Sequence, residues 1–292
     1  MAYQNIATPR IYLNVPAYLE SIGEYEIDSV FRTNPTSMHT FLANTWYQIP
    51  YTAVINYTYP YIAYLGHNFS NEDLGNNENG DHSSIINGTN ASFSSGFSII
   101  EADDAFTRVK EDDADWAVSS IVSGFYYDFP HAVDLKTTLS YSYEGIKETT
   151  TKGGATLSNK YYSGPPKWGN GLGAWELGGS ATHAKSGRRV WDISWSFLNQ
   201  SDIWPDNAGL ANEDTNDTIT LNLLQDDTIQ RVIHICQGNH LPFIFQYDNE
   251  VSDGFGTPAP HSFAIAKFDG KFSFQQTSPG LYSAKIRVKE VW

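Results

Sequence analysis

Cysteine is nearly absent from this sequence: Cys236 is the only one among 292 residues. A lone thiol rules out an internal disulfide and a thiolate-bound metal. It falls on the apolar side of a helical pattern, where a buried, inert thiol is the ordinary outcome. Long hydrophobic runs are also missing, and no stretch reaches membrane-spanning length. The first ten residues have neither a basic segment nor an apolar core, so the expectation is a chain made and used in a cytosol, or assembled there into a particle. Six Asn-x-Ser/Thr sequons, at Asn56, Asn68, Asn87, Asn90, Asn199 and Asn216, then read as Asn-, Ser- and Thr-rich turn composition.

Positive charge is scarce. Eighteen Lys and Arg stand against 33 Asp and Glu, for a net charge of −15. Residues 1–150 carry 19 acids and 6 cations (−13), while 151–292 carry 14 acids and 12 cations (−2). An acidic first half repels phosphate backbones, which argues against sequence-specific nucleic-acid binding. The near-neutral second half suits burial in an assembly.

Catalytic signatures are missing as well. There is no Gly-x-Ser-x-Gly elbow, P-loop or dinucleotide fingerprint. Eight histidines, at 39, 67, 82, 131, 183, 234, 240 and 261, never pair at a metal-ligating spacing. The acids Glu101, Asp103, Asp104, Glu111, Asp112, Asp113 and Asp115 have calcium-like density without the calcium-loop spacing, as does Asn76–Asp81, and they read as solvated loops. With 33 acids, facing carboxylate pairs for sugar hydrolysis can always be found, so no single pair counts as evidence. The expectation is a protein without catalytic, metal-binding or cofactor-binding residues.

Aromatic residues make up 14% of the chain, with 23 Gly and 13 Pro, a balance that favours β-structure. Short strand patterns at Tyr59–Leu65, Phe97–Ile100, Trp116–Tyr127 and Leu135–Tyr143 are separated by Gly, Asn and Ser clusters, which predicts a jelly-roll β-sandwich over 41–148. Trp191, Ile193, Trp195 and Phe197 alternate with polar residues. Tyr282, Ala284, Ile286, Val288 and Trp292 do so opposite Lys285, Arg287 and Lys289. Ile229, Val232, Ile233 and Cys236 follow helical spacing over about 226–237, with Asp226 or Asp227 as cap and Gly238 as stop. Ile11–Val15 reads as an edge strand of the second half. The expected organisation is therefore an N-terminal arm and strand (1–40), the sandwich, a Gly/Pro/aromatic connector (149–186), and a small β-barrel with one packed helix (187–292).

The runs Gly187-Arg-Arg-Val-Trp-Asp-Ile-Ser-Trp-Ser-Phe197, Leu241-Pro-Phe-Ile-Phe-Gln246, Phe263-Ala-Ile-Ala-Lys-Phe-Asp269 and Lys285-Ile-Arg-Val-Lys-Glu-Val-Trp292 resemble the barrel domain of bacteriophage distal tail (baseplate ring) proteins. The resemblance covers roughly 150–292. It implies a virion tail component, synthesised in the host cytoplasm. Such a protein forms a six-fold homo-oligomeric ring, contacts neighbouring tail proteins, and joins the tail tube to the adsorption apparatus without chemistry of its own. Tyr61-Ile-Ala-Tyr-Leu-Gly-His-Asn-Phe69 resembles a strand-to-loop motif of galectin-type jelly rolls, which implies Tyr64, His67, Asn68 and Phe69 as contacts to a host surface glycan. For His67 the competing reading is a ring that hydrogen-bonds nearby backbone and fixes a turn. The rival functions are a carbohydrate-binding adhesin or receptor binder and a capsid-associated structural protein. Lys285, Arg287 and Lys289 form a positive stripe in an acidic chain, expected at a subunit interface.

Overall fold

In the computed structural model the described residues are 8–33, 37–68, 74–76, 84–86, 96–101, 105–111, 115–143, 147–158, 187–205, 224–249 and 263–291. Eighteen strands run through them: β1 (Arg10–Tyr12), β2 (His39–Phe41), β3 (Tyr47–Gln48), β4 (Pro60–His67), β5 (Leu74–Asn76), β6 (Ser84–Ile86), β7 (Gly96–Glu101), β8 (Arg108–Glu111), β9 (Trp116–Val118), β10 (Ser120–Asp128), β11 (Thr138–Ser142), β12 (Glu148–Thr150), β13 (Thr156–Ser158), β14 (Arg188–Asn199), β15 (Phe243–Gln246), β16 (Phe263–Phe268), β17 (Ser273–Ser278) and β18 (Leu281–Glu290). Three short helices accompany them, α1 (Val15–Ser21), α2 (Gln200–Ile203) and α3 (Ile229–Ile235). The protein is mainly β.

Eleven strands form one sheet in the order β11-β14-β18-β16-β15-β1-β10-β4-β7-β6, with β17 paired to β18 off this path. The sheets are not closed into a barrel, contrary to the expectation for 187–292. The reason is the position of β1. It is not an edge strand: Ile11 pairs with Phe245 of β15 on one side and with Tyr127 of β10 on the other. By occupying the free edge of β15 it continues the ladder into the first half of the chain instead of letting the second half close on itself.

Period-two patterning divides the side chains of this sheet between cores. All of β4 is buried, with Ile62 and Tyr64 in one cluster and Tyr61, Ala63 and Leu65 in another. The first of these clusters also holds Val109 of β8 and Trp116 of β9, from the small sheets β3-β8-β5 and β2-β9, and Ile49, which follows β3. The largest cluster joins Trp191, Trp195, Ile286 and Val288 to Ile229, Val232 and Ile235 of α3 and to Val15 and Leu19 of α1. β14 pairs with β18 in the register Trp191↔Val288 and Ile193↔Ile286, so these buried residues face inward together. Past Trp195 a bulge shifts the register, and Leu198 takes the buried position while Phe197 is 71% exposed. The simple alternation that assigned Phe197 to the core fails at that bulge.

Both main helices start on capped ends. Asn14 accepts the Ala17 amide at 3.2 Å and Pro16 sits in the first turn of α1. Thr228, rather than Asp226 or Asp227, caps α3 by accepting the Arg231 amide at 3.3 Å. Gly238, at φ +67°, ends it, its N–H donating a hydrogen bond to Ile233 O at 2.9 Å. Trp292 and residues 159–186 of the connector lie outside the described residues.

Candidate functional site

On β18 the positive stripe occupies the positions opposite the core: Lys285 and Arg287 are exposed and Lys289 is half-buried. Arg287 stands across from Asp192 in the ladder, and its Nε lies 3.8 Å from Asp192 Oδ1 and 3.5 Å from Asp269 Oδ2. Its charge is thus shared with carboxylates of its own chain. Exposed pairs of this kind contribute about 0–1 kcal/mol each.

The residues of the glycan motif are placed differently. Tyr64 and His67 are fully buried, and burial raises the Tyr64 phenol well above its ordinary pKa. His67 Nε2 lies 2.6 Å from Ser98 Oγ, also buried. Asn68 Oδ1 accepts the Ala117 amide at 2.8 Å, and the Asn68 amide donates to Ala117 O at 3.2 Å. The Gly-His-Asn run therefore stitches the end of β4 to β9. Its left-handed Gly66, at φ +64°, provides the bulge between Leu65 and His67. Tyr64 and His67 present no surface to a ligand. Phe69 lies outside the described residues.

Of the acidic cluster, Glu101 is committed to Arg10 and Asp115 Oδ1 accepts the Ala43 amide at 2.9 Å. Among the described residues no three His, Cys, Asp or Glu side chains are grouped to hold a metal ion.

Three arginines that the sequence did not single out organise the interior. Arg10, on β1, donates to both oxygens of Asp128 at 2.6 and 2.7 Å and to Glu101 at 2.9 Å. It lies 3.9 Å from the centre of the Tyr126 ring. Arg189 makes a two-pronged bond to Glu290 at 3.0 and 2.8 Å and donates to Phe263 O at 2.5 Å, tying β14, β18 and β16 together. Arg231 of α3 is fully buried, 3.7 Å from the centre of the Phe125 ring, and donates to Asn56 O. Burial pushes its guanidinium down to about 10, with Asp227 and Asp226 pulling the other way. Each contact joins residues from 74 to 175 positions apart, and nothing in local periodicity marks them.

At the entry to β4, Tyr59 holds a left-handed backbone at φ +62°. Its ring is 53% exposed and stacks on Tyr126 with centroids 5.2 Å apart. A second exposed group follows β11: Leu135 and Tyr143 flank the strand, and Leu139 and Tyr141 lie on it. Exposed apolar side chains gathered in one region are the usual mark of an interaction surface.

No helix among the described residues is long and apolar enough to cross a membrane. No family model, curated protein or solved structure matches this chain.

Proposed function

We propose that this chain is a non-enzymatic structural subunit that assembles with copies of itself, in the setting that the sequence resemblance implies: a distal tail ring of a tailed bacteriophage. The observation that carries the reading is the exposed apolar group around β11, where most other large aromatics among the described residues are packed inside. In this reading β10-β4-β7-β6 and the small sheets that share the Ile62, Tyr64 and Trp116 core are the two layers of a jelly-roll sandwich attached to the ring-forming part. The test is the mass of the purified full-length chain by sedimentation and native mass spectrometry. A closed oligomer, six-fold in the tail-ring reading, is expected; a monomer at all concentrations refutes self-assembly.

One observation favours carbohydrate binding as a second reading. The exposed Tyr59, stacked on Tyr126, offers an aromatic face of the kind on which a sugar ring packs. This surface replaces the Tyr64–Phe69 motif as the place where a glycan would sit. A glycan array probed with wild-type protein and with Tyr59→Ala tests it, and equal binding by both removes Tyr59 from consideration.

A further inference from the structure

β12 and β13 pair only with each other among the described residues, and all six of their residues are exposed. The turn between them is well specified. The Thr151 amide bonds Ala155 O at 2.8 Å, Thr151 Oγ1 accepts the Ala155 amide at 3.1 Å, and Gly154 holds φ +83° with open space around it. A lone two-stranded hairpin in water is at best marginally stable and needs a third strand or a packed face. Among the described residues the turn is built and no third strand or packed face accompanies it.

β11 has the opposite deficit. It pairs with β14 on one side and, among the described residues, with nothing on the other. Its sequence Thr-Leu-Ser-Tyr-Ser has no charge and no proline, the devices by which exposed edges are usually protected from pairing. Leu139 and Tyr141 stand on it 48% and 55% exposed. Among the described residues one chain therefore carries a sheet edge without a partner strand and a hairpin without a sheet. The hairpin follows β11 after residues 143–147, yet the two are not paired within the chain.

We propose that the β12–β13 hairpin of one copy docks on the β11 edge of the next. The added strand completes the ladder with backbone hydrogen bonds, and Leu157 joins Leu139 and Tyr141 in the covered patch. The partner is a second copy of this chain because the surplus and the deficit belong to the same sequence. A pairing of two β11 edges would leave both hairpins bare. The contact joins unlike surfaces, so its repetition closes a ring or extends a filament. This inference rests on the self-assembly reading and adds the segments that carry it.

Sedimentation of the full-length chain over a concentration series tests it, with three variants beside the wild type. Leu139→Lys/Tyr141→Lys alters the edge, Thr149→Pro removes a ladder donor from the hairpin, and Leu42→Lys changes an exposed leucine elsewhere. All altered side chains are exposed, and circular dichroism checks that each variant is folded. The edge and hairpin variants should each weaken association by about a hundredfold, given the apolar area they expose or the ladder they break, and Leu42→Lys should match the wild type. If the wild type assembles and either variant assembles equally well, the hairpin-to-edge contact is wrong while self-assembly stands. If the wild type is monomeric, both are wrong. Should a variant fail to fold, hydrogen exchange of the wild-type hairpin amides decides the point: protection that rises with protein concentration is expected, and rapid exchange at every concentration overturns the contact.

Discussion

Gly124→Ala is the sharpest test of the junction between the two halves of the sheet. Gly124 lies in β10 opposite Tyr61, at φ +153°. A Cβ there would fall 2.4 Å from Leu13 O and 2.8 Å from Val15 Cγ2. The oxygen is backbone, and it also accepts the Tyr61 hydroxyl at 2.9 Å, while the Leu13 amide bonds Phe125 O at 3.0 Å. Relieving the clash therefore moves β1 away from β10 and leaves buried groups without partners. Overpacking costs about 1–3 kcal/mol, and each unsatisfied buried group costs about 1–3 kcal/mol. The expected loss is about 2–6 kcal/mol, a large fraction of the roughly 5–15 kcal/mol that holds a typical domain together. Urea unfolding followed by tryptophan fluorescence measures it. Gly154→Ala is the control: it also sits at positive φ, but nothing lies within 4 Å of its added Cβ. Its cost is confined to the left-handed backbone, about 1–2 kcal/mol, and is local to an exposed hairpin turn. If Gly124→Ala lies within about 1 kcal/mol of wild type, the close approach of Leu13 to β10 is wrong.

The bulge in β14 predicts opposite outcomes for neighbours: Leu198→Ala should cost about 2–5 kcal/mol because Leu198 is fully buried, whereas Phe197→Ser should stay within about 0.5 kcal/mol. Denaturant titration of both variants checks this, and the reverse order would move the bulge. Stability should also fall at high pH. Burial raises the phenols of Tyr12, Tyr61, Tyr64 and Tyr127, lifts Tyr126 up to about 12, and raises the Cys236 thiol. With folded values above unfolded ones, the stabilisation is complete below the ordinary cysteine and tyrosine range of about 8.5–10 and is lost as pH rises through and beyond it. Melting temperatures from pH 8 to 12, read beside tyrosinate absorbance, test the sign; a flat profile would contradict it.

The parts of this fold that could be read in the sequence are those with a local period. Alternation in 188–195 and 284–288 placed Trp191, Trp195, Ile286 and Val288 in the core, and helical spacing placed Ile229, Val232 and Cys236 on a packed face. Local patterns carry no partner information, and the misreadings follow from that. A three-residue strand such as β1 looks like an edge until two other strands bracket it. An open sheet and a barrel share the same alternation. The Asn14-Val-Pro16 start of α1, by contrast, is a cap signal legible in the sequence alone. His67 shows the limit for site residues: its Gly-His-Asn setting is equally suited to a ligand loop and to a strand end, and only the Ser98 contact distinguishes them.

The placement of charge bears on how copies would associate. Of a small complement of cations, Arg10, Arg189 and Arg231 are drawn into the interior, and Arg287 is shared between Asp192 and Asp269. The remaining surface is that of a chain with net charge −15. Two copies approaching one another therefore repel at long range, and in the proposed assembly the attraction has to come from apolar contact and backbone pairing, as at the uncharged β11 edge. The alternative, assembly steered by Lys285, Arg287 and Lys289 against an acidic neighbour, relies on attraction between opposite charges. The two differ in the sign of their salt dependence. Screening shortens the reach of charge to about 10 Å at 0.1 M and about 3 Å at 1 M. Added salt thus weakens repulsion in the first case and attraction in the second. Self-association measured by sedimentation between low and high sodium chloride should tighten as salt rises, and a Lys285/Arg287/Lys289→Ser variant should behave as the wild type does. Association that weakens with salt, and is lost in the triple variant, would assign the interface to the stripe on β18 instead.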